Sequence, residues 1–160
     1  MALRFFLAIP GIPGGSTVAR YRDTIELTSY SLGASNTGMS TGFPFSGVGA
    51  ASFRPQLTPL KVTKFLDEST IPLLNTLLSG RVLPSMTLFV TRQAGEDGLR
   101  EVLRITFNEV RVTDFNQAAE EEDILPVEKL QFTFAQVTFQ SNAFGFPQSV
   151  TYDTRTNRVT

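Results

Sequence analysis

Met86-Thr87-Leu88-Phe89-Val90-Thr91-Arg92, followed by Gln93-Ala94-Gly95-Glu96-Asp97-Gly98 and a long arm over residues 99–112, decides the fold class. Both arms are rich in β-branched and aromatic residues, and apolar positions recur every second residue, the period that lines one face of a strand. The connecting loop carries the Gly-Asp chemistry of a hairpin. On the second arm Leu103, Ile105 and Phe107 are in one phase and Val110 and Val112 in the other, which predicts a bulge or bend near Asn108.

The same period recurs outward in both directions. Leu3, Phe5, Leu7 and Ile9 alternate with Arg4, Phe6 and Ala8 and predict a first strand. A second strand is expected over 25–32, with a phase change near Ser29 that again signals a bulge. Leu57-Thr58-Pro59-Leu60-Lys61-Val62-Thr63-Lys64 predicts a third, in which Pro59 requires an edge or a bulge because it has no N–H to donate. Leu130, Phe132 and Phe134, then Val137 and Phe139, predict a long bent strand, and Val150-Thr151-Tyr152-Asp153 a short last one. One helix is expected: Asp67 or Ser69 caps it, Pro72 suits its first turn, and Leu74, Leu77 and Leu78 form an apolar stripe before Gly80. Many bent strands and one helix, with no repeat of fixed period, predict a mainly β domain, an antiparallel barrel or closely packed sandwich with the helix at its flank.

The chain of 160 residues fits one domain over 1–160, large enough to bury a core without crosslinks. An extended loop is expected over about 36–54, where Gly and Ser alternate with Met39, Phe43, Phe45 and Val48. A plain flexible insertion has little reason to expose aromatic side chains, so the loop is read as an interaction arm. Gly11-Ile12-Pro13-Gly14-Gly15-Ser16-Thr17 is a second turn-rich loop; a phosphate-binding loop would place Lys after its last Gly, and Ser16 stands there.

Composition narrows the function classes. A net charge of -1, from 14 basic and 15 acidic residues, supplies no field to gather nucleic acid or anionic membrane. Cysteine and histidine are both absent, which removes disulfides, thiolate and imidazole metal sites, and every Ser-His or Cys-His nucleophile. Ser31, Ser52 and Ser85 therefore have no imidazole to activate them, and Lys61 and Lys64 belong to an amphipathic strand. Glu101, Glu109 and Asp114 are the carboxylates an acid–base mechanism would need, but they are spread along one strand. Glu120-Glu121-Glu122-Asp123 lacks the Gly and ligand spacing of a calcium loop and is expected to be a solvated turn. No catalytic residue, cofactor or metal is expected. Arg4 and Pro10-Gly11 break the opening apolar run too early for a signal peptide, and no later run reaches the roughly 20 residues that cross a bilayer. A soluble protein made in the cytoplasm, exported if at all without a cleaved leader, is the expectation.

The order of these pieces resembles the haemolysin-coregulated protein (Hcp) family, which forms the inner tube of the bacterial type VI secretion system. The carriers are Phe6-Leu7-Ala8-Ile9 with Gly11-Ile12-Pro13-Gly14-Gly15-Ser16, Ile25-Glu26-Leu27 with Tyr30-Ser31-Leu32-Gly33, and Thr63-Lys64-Phe65-Leu66-Asp67-Glu68-Ser69-Thr70. Further on stand Val90-Thr91-Arg92-Gln93-Ala94-Gly95, Ile105-Thr106-Phe107-Asn108-Glu109-Val110, Glu128-Lys129-Leu130-Gln131-Phe132-Thr133-Phe134-Ala135-Gln136-Val137 and Tyr152-Asp153-Thr154-Arg155-Thr156-Asn157.

The resemblance implies a small antiparallel β-barrel flanked by one helix and assembled into hexameric rings that stack into a hollow tube. It implies that this tube is secreted to the extracellular space or a target cell, carries effector proteins in its lumen, and works with a tip or spike protein and a sheath. It also implies that the loop over 36–54 reaches a neighbouring subunit or ring and that Ser31 faces cargo in the lumen. Leu32 stands where family members usually carry an aromatic residue, and the loop is richer in Phe than is usual. Tube subunits of phage tails and of extracellular contractile injection particles share the ring-forming logic and are the alternative. A secreted binding barrel using Phe43, Phe45 and the acidic loop is a third reading.

Overall fold

A computed structural model describes residues 2–36 and 55–160. The strands are β1 (Leu3–Ala8), β2 (Ile25–Leu27), β3 (Ser29–Ser31), β4 (Ala34–Asn36), β5 (Pro55–Leu57), β6 (Leu60–Phe65), β7 (Leu83–Gln93), β8 (Leu99–Ala118), β9 (Val127–Ser141), β10 (Gln148–Asp153) and β11 (Arg158–Val159). The helix α1 (Thr70–Ser79) connects β6 to β7. All the ladders are antiparallel, in the order β11-β10-β9-β8-β7-β1-β2, and β6 pairs with both β9 and β3. β2 and β3 are consecutive pieces of one segment, separated at Thr28, whose N–H donates to the Thr63 carbonyl at 2.8 Å. The sheet therefore curls until the chain itself, crossing Thr28, joins its two ends. It is barrel-like, with its ladder interrupted at the phase change expected near Ser29.

The hairpin read from 86–112 is present in register, from Leu83↔Val110 to Gln93↔Leu99. Leu7, Ile25, Leu60, Leu88, Ile105, Phe107, Leu130 and Phe132 are each at most 1% exposed in a single core. Each such side chain contributes roughly 1.5–3 kcal/mol relative to exposure. Buried Ile105 and Phe107 precede Glu109, and buried Val110 and Val112 follow it. Glu109 has φ 52°, so one residue in the left-handed region shifts the strand's phase and constitutes the bend expected near Asn108. β8 also holds an extra residue opposite β7 between Leu103 and Glu101, and one opposite β9 between Val112 and Asp114.

Strict alternation in β1 fails at Phe6, which is expected on the face of Arg4 and Ala8 yet is fully buried. The segment after Gly11 folds back over that face, and Tyr21, at the end of a 3-10 turn (Ala19–Tyr21), stacks on Phe6 with ring centroids 4.6 Å apart. Phe6 is thus covered by a loop rather than by the barrel. Gly14 makes the fold-back feasible, because its N–H donates to the Asp23 carbonyl and a Cβ there would stand 2.5 Å from the Ile25 backbone.

The helix turns a different face inward from the expected Leu74, Leu77 and Leu78 stripe. Thr70, Leu73 and Thr76 are buried and Leu77 packs on the core, whereas Leu78 is 74% exposed. The threonines tolerate this because their hydroxyls are satisfied, Thr70 donating to Glu128 and Thr76 to the Pro72 carbonyl. Ser69 holds the N-cap position without a side-chain cap bond, and Asp67 accepts from the Ser69 N–H at 2.9 Å instead. Gly80, with φ 68°, closes the C-terminus as expected.

Asn36, the first residue of the expected loop, lies in β4 opposite Pro55, so a short strand pair forms its foot. Met39, Phe43, Phe45 and Val48 lie outside the described residues. The last strand begins earlier than expected, at Gln148, and is followed by β11, a strand too short for periodicity to register.

Candidate functional site

β3, β6, β9 and β8 lie side by side and present two rows of side chains on the face opposite the core. Ser31 faces Lys61, Lys61 faces Gln131, and Gln131 faces Asp114. In the next row Ser29 faces Thr63, Thr63 faces Lys129, and Lys129 faces Asn116. The parity of the strands enforces this: Leu60, Val62, Leu130 and Phe132 are buried, so their odd-numbered neighbours must point outward. Both rows line a shallow groove of about 490 Å³ that ends in apolar Ala118 and Val127.

Ser31 is exposed, and Tyr30 and Leu32 on either side of it pack against the core. Tyr30 meets Phe5 edge-on at 5.2 Å, and burial raises its phenol pKa above the ordinary value. Three charged side chains, Lys61, Lys129 and Asp114, reach this face with no ion pair among the described residues. The arrangement offers hydroxyls, amides, ammonium groups and one carboxylate to a polar partner.

The candidate carboxylates do not converge. Glu101 pairs with Arg104 at 3.1 Å, Glu109 with Arg155 at 2.9 Å, and Asp114 belongs to the polar face. Lys61 and Lys64, read as one amphipathic strand, separate completely: Lys61 lines the groove and Lys64 is 1% exposed in the core. Lys64 Nζ lies 2.7 Å from Glu128 Oε1 and 2.8 Å from Asp67 Oδ1, and donates to the Phe65 carbonyl at 3.1 Å. Glu128, fully buried, also accepts from Thr70 at 2.9 Å and from Gln117 at 2.7 Å. This network ties the start of α1 to β6 and β9. Its signal was present in the sequence, since Lys64 shares the parity of Leu60 and Val62, and Glu128 that of Leu130 and Phe132. The grouping of Lys129, Gln131, Asp114 and Asn116 with Ser31 had no such signal, because it depends on strand order.

The family model for the type VI secretion system effector, Hcp, matches residues 6–140. No match is found among curated proteins. Among solved structures, Hcp1 from Salmonella typhimurium has a TM-score of 0.82 at 23% identity over 100% of both chains. A type six secretion system protein has a TM-score of 0.85 at 21% identity, over 99% of this chain and 100% of that one. A type VI secretion system effector from Yersinia pestis has a TM-score of 0.74 at 19% identity, over 93% and 98%. At these identities the structural likeness speaks to the fold alone.

Proposed function

Because the chain belongs to the Hcp family of the type VI secretion system, we propose that it is a structural subunit whose copies close into a hexameric ring, and that rings stack into a hollow tube. The family match carries this reading, and it favours a secretion-system tube over a phage tail or an extracellular particle. The two polar rows support it. A sheet with one face in the core and the other polar and hydrated is what the wall of a water-filled channel requires. On this reading Ser31, Lys61, Lys129 and Gln131 line the lumen and meet secreted effector proteins, and the loop over 36–54, with Met39, Phe43, Phe45 and Val48, reaches a neighbouring subunit. The tube is delivered with its cargo, alongside a sheath and a tip protein. A head-to-tail contact that closes by rotation makes a ring, and contacts between rings extend it.

Native mass measurement together with negative-stain imaging tests this. Six-chain rings with an open centre are expected. A strictly monomeric, folded sample across salt and protein concentration overturns the proposal.

A further inference from the structure

The side of the sheet that faces away from the core divides into two halves, which differ in how their side chains are satisfied. Over β7, β8, β9 and β10 facing groups bond to one another. The Thr138 and Thr151 hydroxyls lie 2.9 Å apart, Asn108 Nδ2 donates to Gln136 Oε1 at 3.0 Å, and Arg104 pairs with Glu101 at 3.1 Å. The two polar rows that begin at Ser29 and Ser31 behave otherwise. None of their side chains makes a hydrogen bond or an ion pair among the described residues. Their donors and acceptors are left to water or to a partner.

Register places the charges within these rows. Lys61 faces Gln131 and Lys129 faces Thr63, so the two ammonium groups are diagonal neighbours across β6 and β9, within reach of one carboxylate. Gln131 and Thr63 occupy the other two corners and add an amide N–H and a hydroxyl as donors. Asp114 faces Gln131 from β8, so the groove holds two cations, Lys61 and Lys129, against one anion.

The other charges of these strands are directed elsewhere. Lys64 and Glu128 are buried in the core, and the Arg111 guanidinium donates to the Gly80 carbonyl at 3.4 Å. The Glu120-Glu121-Glu122-Asp123 run belongs to the β8–β9 connection beyond Ala118 and Val127, where the groove ends. Lys61 stands two rows from that end, on the order of 13 Å along the strands at about 3.3 Å per residue. That exceeds the roughly 8 Å over which exposed charges are felt at physiological ionic strength.

We propose that the groove selects acidic segments of the secreted cargo, holding an Asp or Glu carboxylate of the cargo between Lys61 and Lys129, with Gln131 and Thr63 donating to it. This rests on the lumen reading above and names the chemistry by which that wall chooses its cargo. Like charges on neighbouring positions repel, and a carboxylate arriving between them relieves the repulsion and gains charge-assisted hydrogen bonds. Closing copies into a ring repeats the excess positive charge around one water-filled channel, whose low-dielectric walls focus the field. Asp114 opposes an acidic cargo and so limits how tightly it is held.

Fluorophore-labelled short peptides of alternating Ser and Glu, Ser and Gln, or Ser and Lys test this by anisotropy on the whole protein at low and physiological salt. The Glu peptide is expected to bind most tightly and to weaken as salt rises. Lys61→Gln with Lys129→Gln is expected to weaken it about tenfold or more, whereas Lys61→Arg with Lys129→Arg keeps it. Asp114→Asn is expected to tighten it, an outcome that loss of a merely structural side chain does not produce. Equal binding of the three peptides, binding untouched by the paired Gln variant, or weakening by Asp114→Asn overturns the proposal. Native mass measurement on the same samples separates it from the ring reading. Intact rings with no preference for the Glu peptide keep the tube and overturn the groove chemistry, and folded monomers that keep a lysine-dependent preference do the reverse.

Discussion

Lys64 and Glu128 are direct cross-strand partners on β6 and β9, their charged groups 2.7 Å apart and at most 1% exposed. Removing one member of such a pair strands a charge in the core, at a typical cost of 3–5 kcal/mol, whereas replacing both with apolar residues of similar volume is often neutral. Asp67 remains as a counter-ion to Lys64, so Glu128→Ala is expected to lose about 3 kcal/mol, the lower end of that range. Lys64→Met with Glu128→Leu is expected to recover most of it. Urea unfolding of the single and paired variants at one protein concentration checks this; equal losses in both would mean that the helix start, not the charge, is what the network protects.

Glu109 sits in mid-strand at φ 52°, where an L side chain is strained by about 1–2 kcal/mol and glycine is not. Its ion pair with Arg155 is half exposed on both sides and offsets little of this. Glu109→Gly is therefore expected to unfold at equal or higher urea concentration than the parent, and Glu109→Val at lower. The contrast between the two variants is the measurement, since loss of the Arg155 pair is common to both.

Gly14 has no such backbone demand; its constraint is space. A Cβ would stand 2.5 Å from both the Ile25 Cα and the Thr24 carbonyl oxygen, atoms that cannot swing away. Gly14→Ala is expected to destabilise by roughly 1–3 kcal/mol through overpacking. It should also increase hydrogen exchange at Asp23 and Thr24, whose N–H groups help hold the fold-back. Unchanged exchange there would show that the segment adapts without cost.

Tyr21 buries its hydroxyl with no hydrogen-bond partner among the described residues. Burial first, and Glu101 second, raise its pKa above the ordinary tyrosine value. A phenol that ionises later in the folded chain than in the unfolded one contributes stability that is complete below about pH 10 and is lost as pH rises beyond it. Tyr21→Phe is expected to be neutral or stabilising at pH 7, because an unpaired buried hydroxyl costs about 1–3 kcal/mol. It is also expected to lose less stability than the parent above pH 10. Thermal melts across that range test both parts, and a loss at pH 7 would reveal a partner for the hydroxyl.

The hairpin over 86–112 was legible because alternation and turn chemistry are local and agree. The bend near Asn108 was legible for the same reason: a phase change in the apolar pattern must be matched by an extra residue or an unusual φ, and Glu109 supplies the latter. Phe6 and the helix face were misread because a partner distant in sequence decided each. Tyr21 turns the outer face of β1 into a buried one, and Glu128 takes the hydroxyl of Thr70 and so holds that threonine inward at the start of the helix.

By itself the sequence determined the class of the fold, the place of its longer strands and one helix, and the order of pieces by which its family is recognised. Period, turn residues and phase are properties of neighbouring positions, and they survive without a third dimension. Tertiary structure alone decided which polar side chains share a face with Ser31, that Lys64 meets Glu128, and that Tyr21 covers Phe6. Strand order and register set these relationships, and both depend on pairings between segments as far apart as β6 and β9, which only the packing of the whole core can select.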